Sequence, residues 1–494
     1  MTVIRNDRTA DMKRRVSFAL LWSTAGSWSR EGVNFLVFLI LARLLGPETY
    51  GLVGMAMVLA AFTQIMLVEG IPLVLIQRKN IEAEHIDTVF WLLIVLGTLS
   101  SVAMVACAPS LAAFYGEPEV ERLLYWIALL PIIQALASVY AILLRRDLQF
   151  NIITMRSMLA AVIGGIVGVT MAVQGYGAIS LVTMFICQWL IQLIVMALKS
   201  PWQPGFGVSL RHFREVREYM AESICTRFLG FLEQQAPRVI IGSLMGPATL
   251  GLFTMGWRLL EVLTSLVIMP VSQVAMPTFS RLQDDPVRVD AMLRTMVQLA
   301  ALVGFPSFIG LSVTAPELVP MVFGSKWSEA VPVVQIMAVM GISWSITFCA
   351  NGMLAGMGVR RWRLCLGIIN LVMLVGVLGL GSIYGMIILA LALVGRTLVI
   401  LPLTLLVLRR TIGINIPRLL TGLFPILAAA LAMAIAVAGV RAGLHGHPQA
   451  IVLLASVTAG VTVYPVLLLL FARSMTRKMI QSVSSMWSLR HARA

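Results

Sequence analysis

"LLGPETYGLVGM" occupies residues 44–55, and "SLMGPATLGLFTM" occupies residues 243–255. Both carry Gly-Pro-x-Thr-x-Gly-Leu, from Gly46 to Leu52 and from Gly246 to Leu252, and each lies between two long apolar runs. Glycine ends the first helix, proline prevents its continuation, and the second glycine opens the next span. The same turn in the same register points to an internal duplication. A second pair of stretches agrees. "AAFYGEPEVERLLYWIALLPI" at 112–132 and "PMVFGSKWSEAVPVVQIMAVM" at 320–340 each run Phe and Gly, then charge, then an apolar segment.

The apolar runs around these turns set the class. Of 494 residues, 59% are hydrophobic and only 12% are charged, with a mean hydropathy of +0.93. A soluble domain averages roughly 25% charged residues, and about 20 apolar residues suffice to cross a bilayer. The chain is therefore read as an all-α polytopic membrane protein. A barrel would need short alternating strands, which are absent. The first apolar run, from about Val16, is too long for a cleaved signal segment.

About fourteen spans are expected. The first six lie near 16–43, 49–76, 88–113, 122–144, 153–174 and 177–198. The next six lie near 218–242, 248–273, 291–313, 332–356, 363–381 and 385–408, and two more near 418–440 and 449–472. The expected divisions are a basic N-terminal tail (1–15), an N-lobe (16–198), a linker rich in Pro, Gly and charge (199–217), a C-lobe (218–408), two further helices (409–472) and a C-terminal tail (473–494). Six spans per half give both halves one orientation, a parallel repeat about an axis along the membrane normal.

Lysine and arginine are retained on the cytoplasmic side. With both termini placed inside, inside segments hold 28 of the 37 Lys and Arg, against four outside: Arg43, Arg122, Lys326 and Arg441. Five lie within spans: Arg30, Arg227, Arg238, Arg258 and Arg396. The net charge of +15 is spread over eight short inside segments, including Arg78/Lys79 and Arg145/Arg146/Arg156. That pattern argues against nucleic-acid binding and for attraction to anionic membrane lipids.

Catalytic and metal-binding motifs are missing. The five cysteines form no C-x-x-C pair, His445 and His447 read as a solvated turn, and there is no phosphate-binding P-loop or nucleophile elbow. No cofactor or metal is expected, and the chain is not expected to be an enzyme.

Charges inside spans cost roughly 2.5–3.5 kcal/mol each on insertion scales and usually face a pore or a partner. In the first span Ser23, Ser27, Arg30 and Asn34 recur at helical spacing on one face, with Glu31 about 100° away. In the seventh, Arg227, Gln234 and Arg238 share one stripe, and Glu222 and Glu233 share another. Arg258 and Glu261 stand at i, i+3 in the eighth, Gln64 and Glu69 lie in the second, and Arg396 lies in the twelfth. Arg258/Glu261 reads as a structural pair, and Arg396 has no acid on its own helix. Arg30 and Arg227 read as an anion-accepting path, because a guanidinium fork binds oxyanions bidentately. Buried Arg–Glu pairing is the alternative. Glu31 and Glu233 are candidates for ion coupling. Gly304 and Pro306 would let a span bend.

The L-G-P-x-x-Y-G turn, after a span bearing R-E-x-x-N, resembles the polysaccharide transporter branch of the multidrug/oligosaccharidyl-lipid/polysaccharide superfamily, the Wzx-type flippases. "VFGSKW" at 322–327 and "LLRRDLQF" at 143–150 fit the same pattern. The resemblance covers nearly the whole chain. It implies two six-helix lobes plus two helices, alternating access, and a cytoplasmic (inner) membrane setting. The implied cargo is an oligosaccharide repeat unit on a polyprenyl diphosphate, for exopolysaccharide, capsule or O-antigen synthesis. A polysaccharide polymerase and export machinery are implied as partners. The family's cationic cavity maps by position onto Arg30, Arg227 and Arg238. The second turn has Leu250 where the first has Tyr50, so the family's turn motif belongs to the N-terminal half.

Other readings stay open. A multidrug exporter would favour acidic, aromatic-lined spans. A peptidoglycan-precursor flippase of the lipid II type is separated only by the turn motifs. A membrane polymerase would need a larger aqueous loop or paired carboxylates than the outside loop at 314–331, with Glu317 and Glu329, supplies.

Overall fold

The structure, a computed structural model, describes residues 29–73, 75, 81–147, 149–207 and 210–471. The two basic tails, Ser23, Ser27 and the Arg78/Lys79 loop lie outside the described residues, as do the side chains of Glu222 and Cys225.

Every described element is helical. Helix α1 covers 29–45, and α2 (Pro47–Gln64) runs into a π-helical segment, Ile65–Gly70. Next come α3 (Ala83–Tyr115), α4 (Pro118–Ile127), α5 (Leu130–Arg146), α6 (Phe150–Val173) and α7 (Ala178–Lys199). Helix α8 (Leu210–Leu263) is two helices joined at Gly246, and it enters a second π-helical segment, Thr264–Ile268. Then follow α9 (Met269–Arg281), α10 (Pro286–Phe323), α11 (Val331–Ala338), α12 (Met340–Gly356), α13 (Arg360–Ile383), α14 (Met386–Ile412), α15 (Ile416–Gly443) and α16 (Gln449–Phe471).

Among the described residues eleven helices are long and apolar enough to cross a membrane, or up to twelve if the bent pair Ser325–Ala338 and Met340–Gly356 is one span. One of the eleven, Arg227–Arg281, contains the Gly246 break, and α1 begins at the edge of the described residues. The all-α membrane class expected from composition is therefore observed.

The duplication extends well past the quoted turns. Gly46 has φ 86° and ψ 175°, and Gly246 has φ 81° and ψ 176°. Only glycine takes that conformation without strain. Each proline then opens a helix that ends in a π-helical segment, and each segment is followed two residues on by another proline, Pro72 or Pro270. The second pair of stretches matches too. After Gly116 the chain forms α4, breaks at Ala128–Leu129 and resumes as α5. After Gly324 it forms a 3₁₀ turn and α11, breaks at Val339 and resumes as α12.

By contacts the chain divides into two compact units, Met1–Thr254 and Met255–Ala494. The second turn groups with the first unit because the two turns dock on each other. A Cβ on Gly51 would stand 1.8 Å from the carbonyl oxygen of Pro247, and one on Gly251 would stand 1.9 Å from that of Pro47. Met55 and Tyr115 close on Gly242 in the same contact. The expected lobes divide the chain by repeat, whereas these units divide it by packing.

In the first unit Leu67, Leu75, Phe90, Leu93, Val139 and Ile142 form a buried core. Gly97 lets α3 approach α5 so closely that a Cβ would lie 2.9 Å from the Pro131 carbonyl. Gly164 and Gly168 bring α6 against Met184 and Gln188 of α7, the small-residue contact usual between membrane helices. The segment after α7 is packed rather than loose. Gly205 N donates to Asp87 Oδ1 at 3.1 Å, Trp91 Nε1 donates to the Gly205 carbonyl at 2.8 Å, and Trp202 packs on Phe90 and Tyr140.

In the second unit α15 and α16 pack along α10. Near one end Asn415 N donates to Asp290 Oδ1 at 3.2 Å. Midway, the Tyr464 hydroxyl donates to the Leu302 carbonyl at 2.7 Å. At the other end Arg441 binds Glu317 at 2.8 Å and also donates to the Val313 carbonyl. The two helices after 409 are thus fastened to α10 along its length.

Candidate functional site

Arg227 lies in the first arm of α8 and reaches Glu69 in the π-helical segment after α2. Nη1 and Oε2 are 2.8 Å apart, and the side chains are 34% and 46% exposed. A charge pair left half-exposed on membrane helices implies a hydrated face, since lipid would not solvate it. The π-helical turn shifts the register at Glu69, a distortion common at functional positions. Phe62, Phe228 and Phe231 line the same region, with ring centroids 5.3–6.4 Å apart.

Further along the arm, Arg238 Nη1 donates to Gln235 Oε1 at 2.9 Å. Gln235 is buried, whereas Gln234, on the stripe expected from spacing, is exposed. Arg227 and Arg238 therefore each have a side-chain partner that the stripe did not reveal. Glu233 is half-buried. In α1, Arg30 is exposed, and Glu31 and Asn34 are half-buried.

The second unit carries its own polar face. Trp257, Arg258 and Glu261 share one side of the second arm of α8. Trp257 Nε1 donates to Glu261 Oε1 at 2.9 Å, and Arg258 Nη1 to Oε2 at 3.3 Å. Trp257 meets Trp344 of α12 edge-on at 5.5 Å, and Trp344 meets Phe348 at 6.3 Å. Trp257, Trp344 and Phe348 are half-buried, and Glu261 is exposed. The Arg258/Glu261 pair expected from sequence is present. Arg396, unassigned from sequence, is buried and donates to Asn370 of α13.

The tryptophans escaped sequence reading because an aromatic residue in an apolar run looks like core. The available signal was Trp257 four residues before an intramembrane glutamate. Among the described residues no group of three His, Cys, Asp or Glu could hold a metal.

Comparison with known proteins agrees with this architecture. Residues 40–332, more than half of the chain, match the family described as "Polysaccharide biosynthesis protein". The chain is 27% identical over 477 residues to the succinoglycan biosynthesis transport protein ExoT of Rhizobium meliloti, covering 93% of this chain and 94% of that one. It is 23% identical to the lipopolysaccharide biosynthesis protein WzxC of Escherichia coli, over 66% of each. In fold it resembles the lipid II flippase MurJ in an inward closed conformation, with a TM-score of 0.76 at 13% identity, covering 92% of this chain and all of that one. It also resembles an inward-facing MATE multidrug transporter of the MOP superfamily, with a TM-score of 0.54 at 17% identity, over 81% of this chain and 96% of that one. A helical membrane protein with a duplicated turn, intramembrane charges and these relatives belongs to the polysaccharide biosynthesis protein family, with a fold like those of MurJ and the MATE transporter.

Proposed function

We propose that the chain is a flippase, not an enzyme, that moves polyprenyl-diphosphate-linked oligosaccharide repeat units across the cytoplasmic membrane by alternating access. The observation that carries this reading is the half-exposed Arg227–Glu69 pair in the membrane-spanning part of the first unit. Such a pair suits a cargo that is anionic at one point and hydroxyl-rich elsewhere. The proposed diphosphate contacts are Arg30, Asn34, Arg227, Gln234 and Arg238. Glu31 and Glu233 remain the proposed ion-coupling groups. The Trp257–Trp344 face, with Arg258 and Glu261, suits saccharide, whose rings offer apolar faces to aromatics and hydroxyls to charged groups. The relatives named for succinoglycan and lipopolysaccharide biosynthesis support a saccharide cargo. Fourteen spans with both termini inside complete the proposal, with a polysaccharide polymerase and export machinery as downstream partners.

The test is reconstitution. Vesicles carrying a fluorescent polyprenyl-diphosphate oligosaccharide should lose inner-leaflet label to an external quencher faster with protein than without. Equal rates would overturn the proposal. The MurJ-like fold supports a second reading, transport of a lipid-linked peptidoglycan precursor. That reading wins if the precursor is flipped and the oligosaccharide is not.

A further inference from the structure

Arg156 lies in the second turn of α6 and is 6% exposed. Nη1 rests against the Met196 sulfur of α7, which is a poor acceptor, and the buried Nε has no hydrogen-bond partner. Among the described residues no ion pair includes Arg156, Arg145 or Arg30. Instead, Arg156 lies within electrostatic reach of Arg145, at the end of α5, and of Arg30 in α1, both of them exposed. Arg146, next to Arg145, is employed otherwise: its Nη1 holds the Leu75 carbonyl at 2.7 Å. Asp147, in the connecting turn, is exposed.

A buried guanidinium without a counter-charge is unfavourable, and two further positive charges nearby make it more so. The arrangement lacks an anion. Phosphate oxygens would accept from the guanidinium edge, offset the like charges and find the planar fork that suits them. A phosphate attached to a lipid could arrive from the membrane, where free phosphate would not dwell.

We propose that Arg156, with Arg145 and Arg30, binds a phosphate group carried on a lipid, in the first unit between the end of α5 and the first turns of α6. The diphosphate of a polyprenyl carrier and the headgroup of an anionic phospholipid share this chemistry. The first source deepens the flippase reading and rests on it; the second does not need it.

The experiment measures binding to the 494-residue chain in nanodiscs of phosphatidylcholine. Geranylgeranyl diphosphate, phosphatidylglycerol and uncharged geranylgeraniol are titrated separately and in competition. At least one phosphate-bearing probe should bind and geranylgeraniol should not. Arg156→Gln should weaken that binding about tenfold, as expected for loss of a charge-assisted fork, and Arg156→Lys should recover part of it. The melting temperature of Arg156→Gln should stay level or rise, because an uncompensated buried charge has gone. Phosphatidylglycerol displacing the diphosphate with equal strength identifies a phospholipid site, and diphosphate selectivity identifies the carrier. Unchanged affinity in Arg156→Gln overturns the proposal. Should that variant not fold, Arg145→Gln, at an exposed position, decides the matter: a several-fold loss supports the site and no change rejects it. A chain that binds the diphosphate through Arg156 yet flips nothing would retain the site and lose the proposed function.

Discussion

Arg227 and Glu69 are 158 positions apart and meet at 2.8 Å. The pair is half-exposed, so it should contribute little to stability, with a coupling of about 0.5–1 kcal/mol in a double-mutant cycle. Its role in transport should be larger. Arg227→Ala is expected to cut flipping at least about tenfold with near-normal abundance, and Arg227→Lys to restore part, because a point charge replaces a fork. Arg30→Ala should act likewise. A drop in melting temperature that accounts for the lost activity would make these residues structural instead. The arginines were legible because a charge in an apolar run stands out in any sequence. Their partners were not. Glu69 comes from a distant span, and Gln235 rather than Gln234 meets Arg238 because neighbouring residues on a helix point about 100° apart. Arg156 was hidden by its place near a span end, where a positive charge is expected for topology and draws no further question.

At the scale of elements, the repeated turn shows how far a motif can be read. Its glycines and prolines announced two helix junctions and a duplication, and both are present at matching backbone angles. The mutual docking of the turns was beyond sequence, because it depends on the path of the chain between them. The paired π-helical segments were also unreadable, since no residue type compels an extra residue in a turn. Gly51→Ala and Gly251→Ala should each destabilise the protein by about 1–3 kcal/mol through overpacking, seen as a lower melting temperature in detergent. Gly376→Ala and Gly439→Ala, where an added methyl meets nothing within 4 Å, should leave it nearly unchanged. Equal effects at all four positions would mean that the close approach does not exist.

For the whole molecule, composition and the distribution of lysine and arginine specify a many-span helical protein and a proposed orientation. A reporter fused after Arg477 should read cytoplasm, and one inserted at His445 should read the outside; opposite signals would invert the topology. Orientation sets the energetics of the proposed transport. A diphosphate carries about two negative charges, and export from a negative interior gains about 4–5 kcal/mol per 100 mV if no counter-ion follows. Flipping in sealed vesicles should therefore quicken under an imposed potential. Rates indifferent to both potential and ion gradients would reject this driving force.

The docked turns have a genetic consequence. At Gly51 and at Gly251 the opposing atom is a proline carbonyl oxygen, part of the backbone. Trimming a neighbouring side chain cannot make room for a methyl group there. A screen for intragenic suppressors of Gly51→Ala should return true revertants, or changes elsewhere that let the two helices part, and none that merely shrink the residues at Pro247 or Leu250. The second copy carries Ala248 and Leu250 where the first has Glu48 and Tyr50, yet both copies keep the glycine.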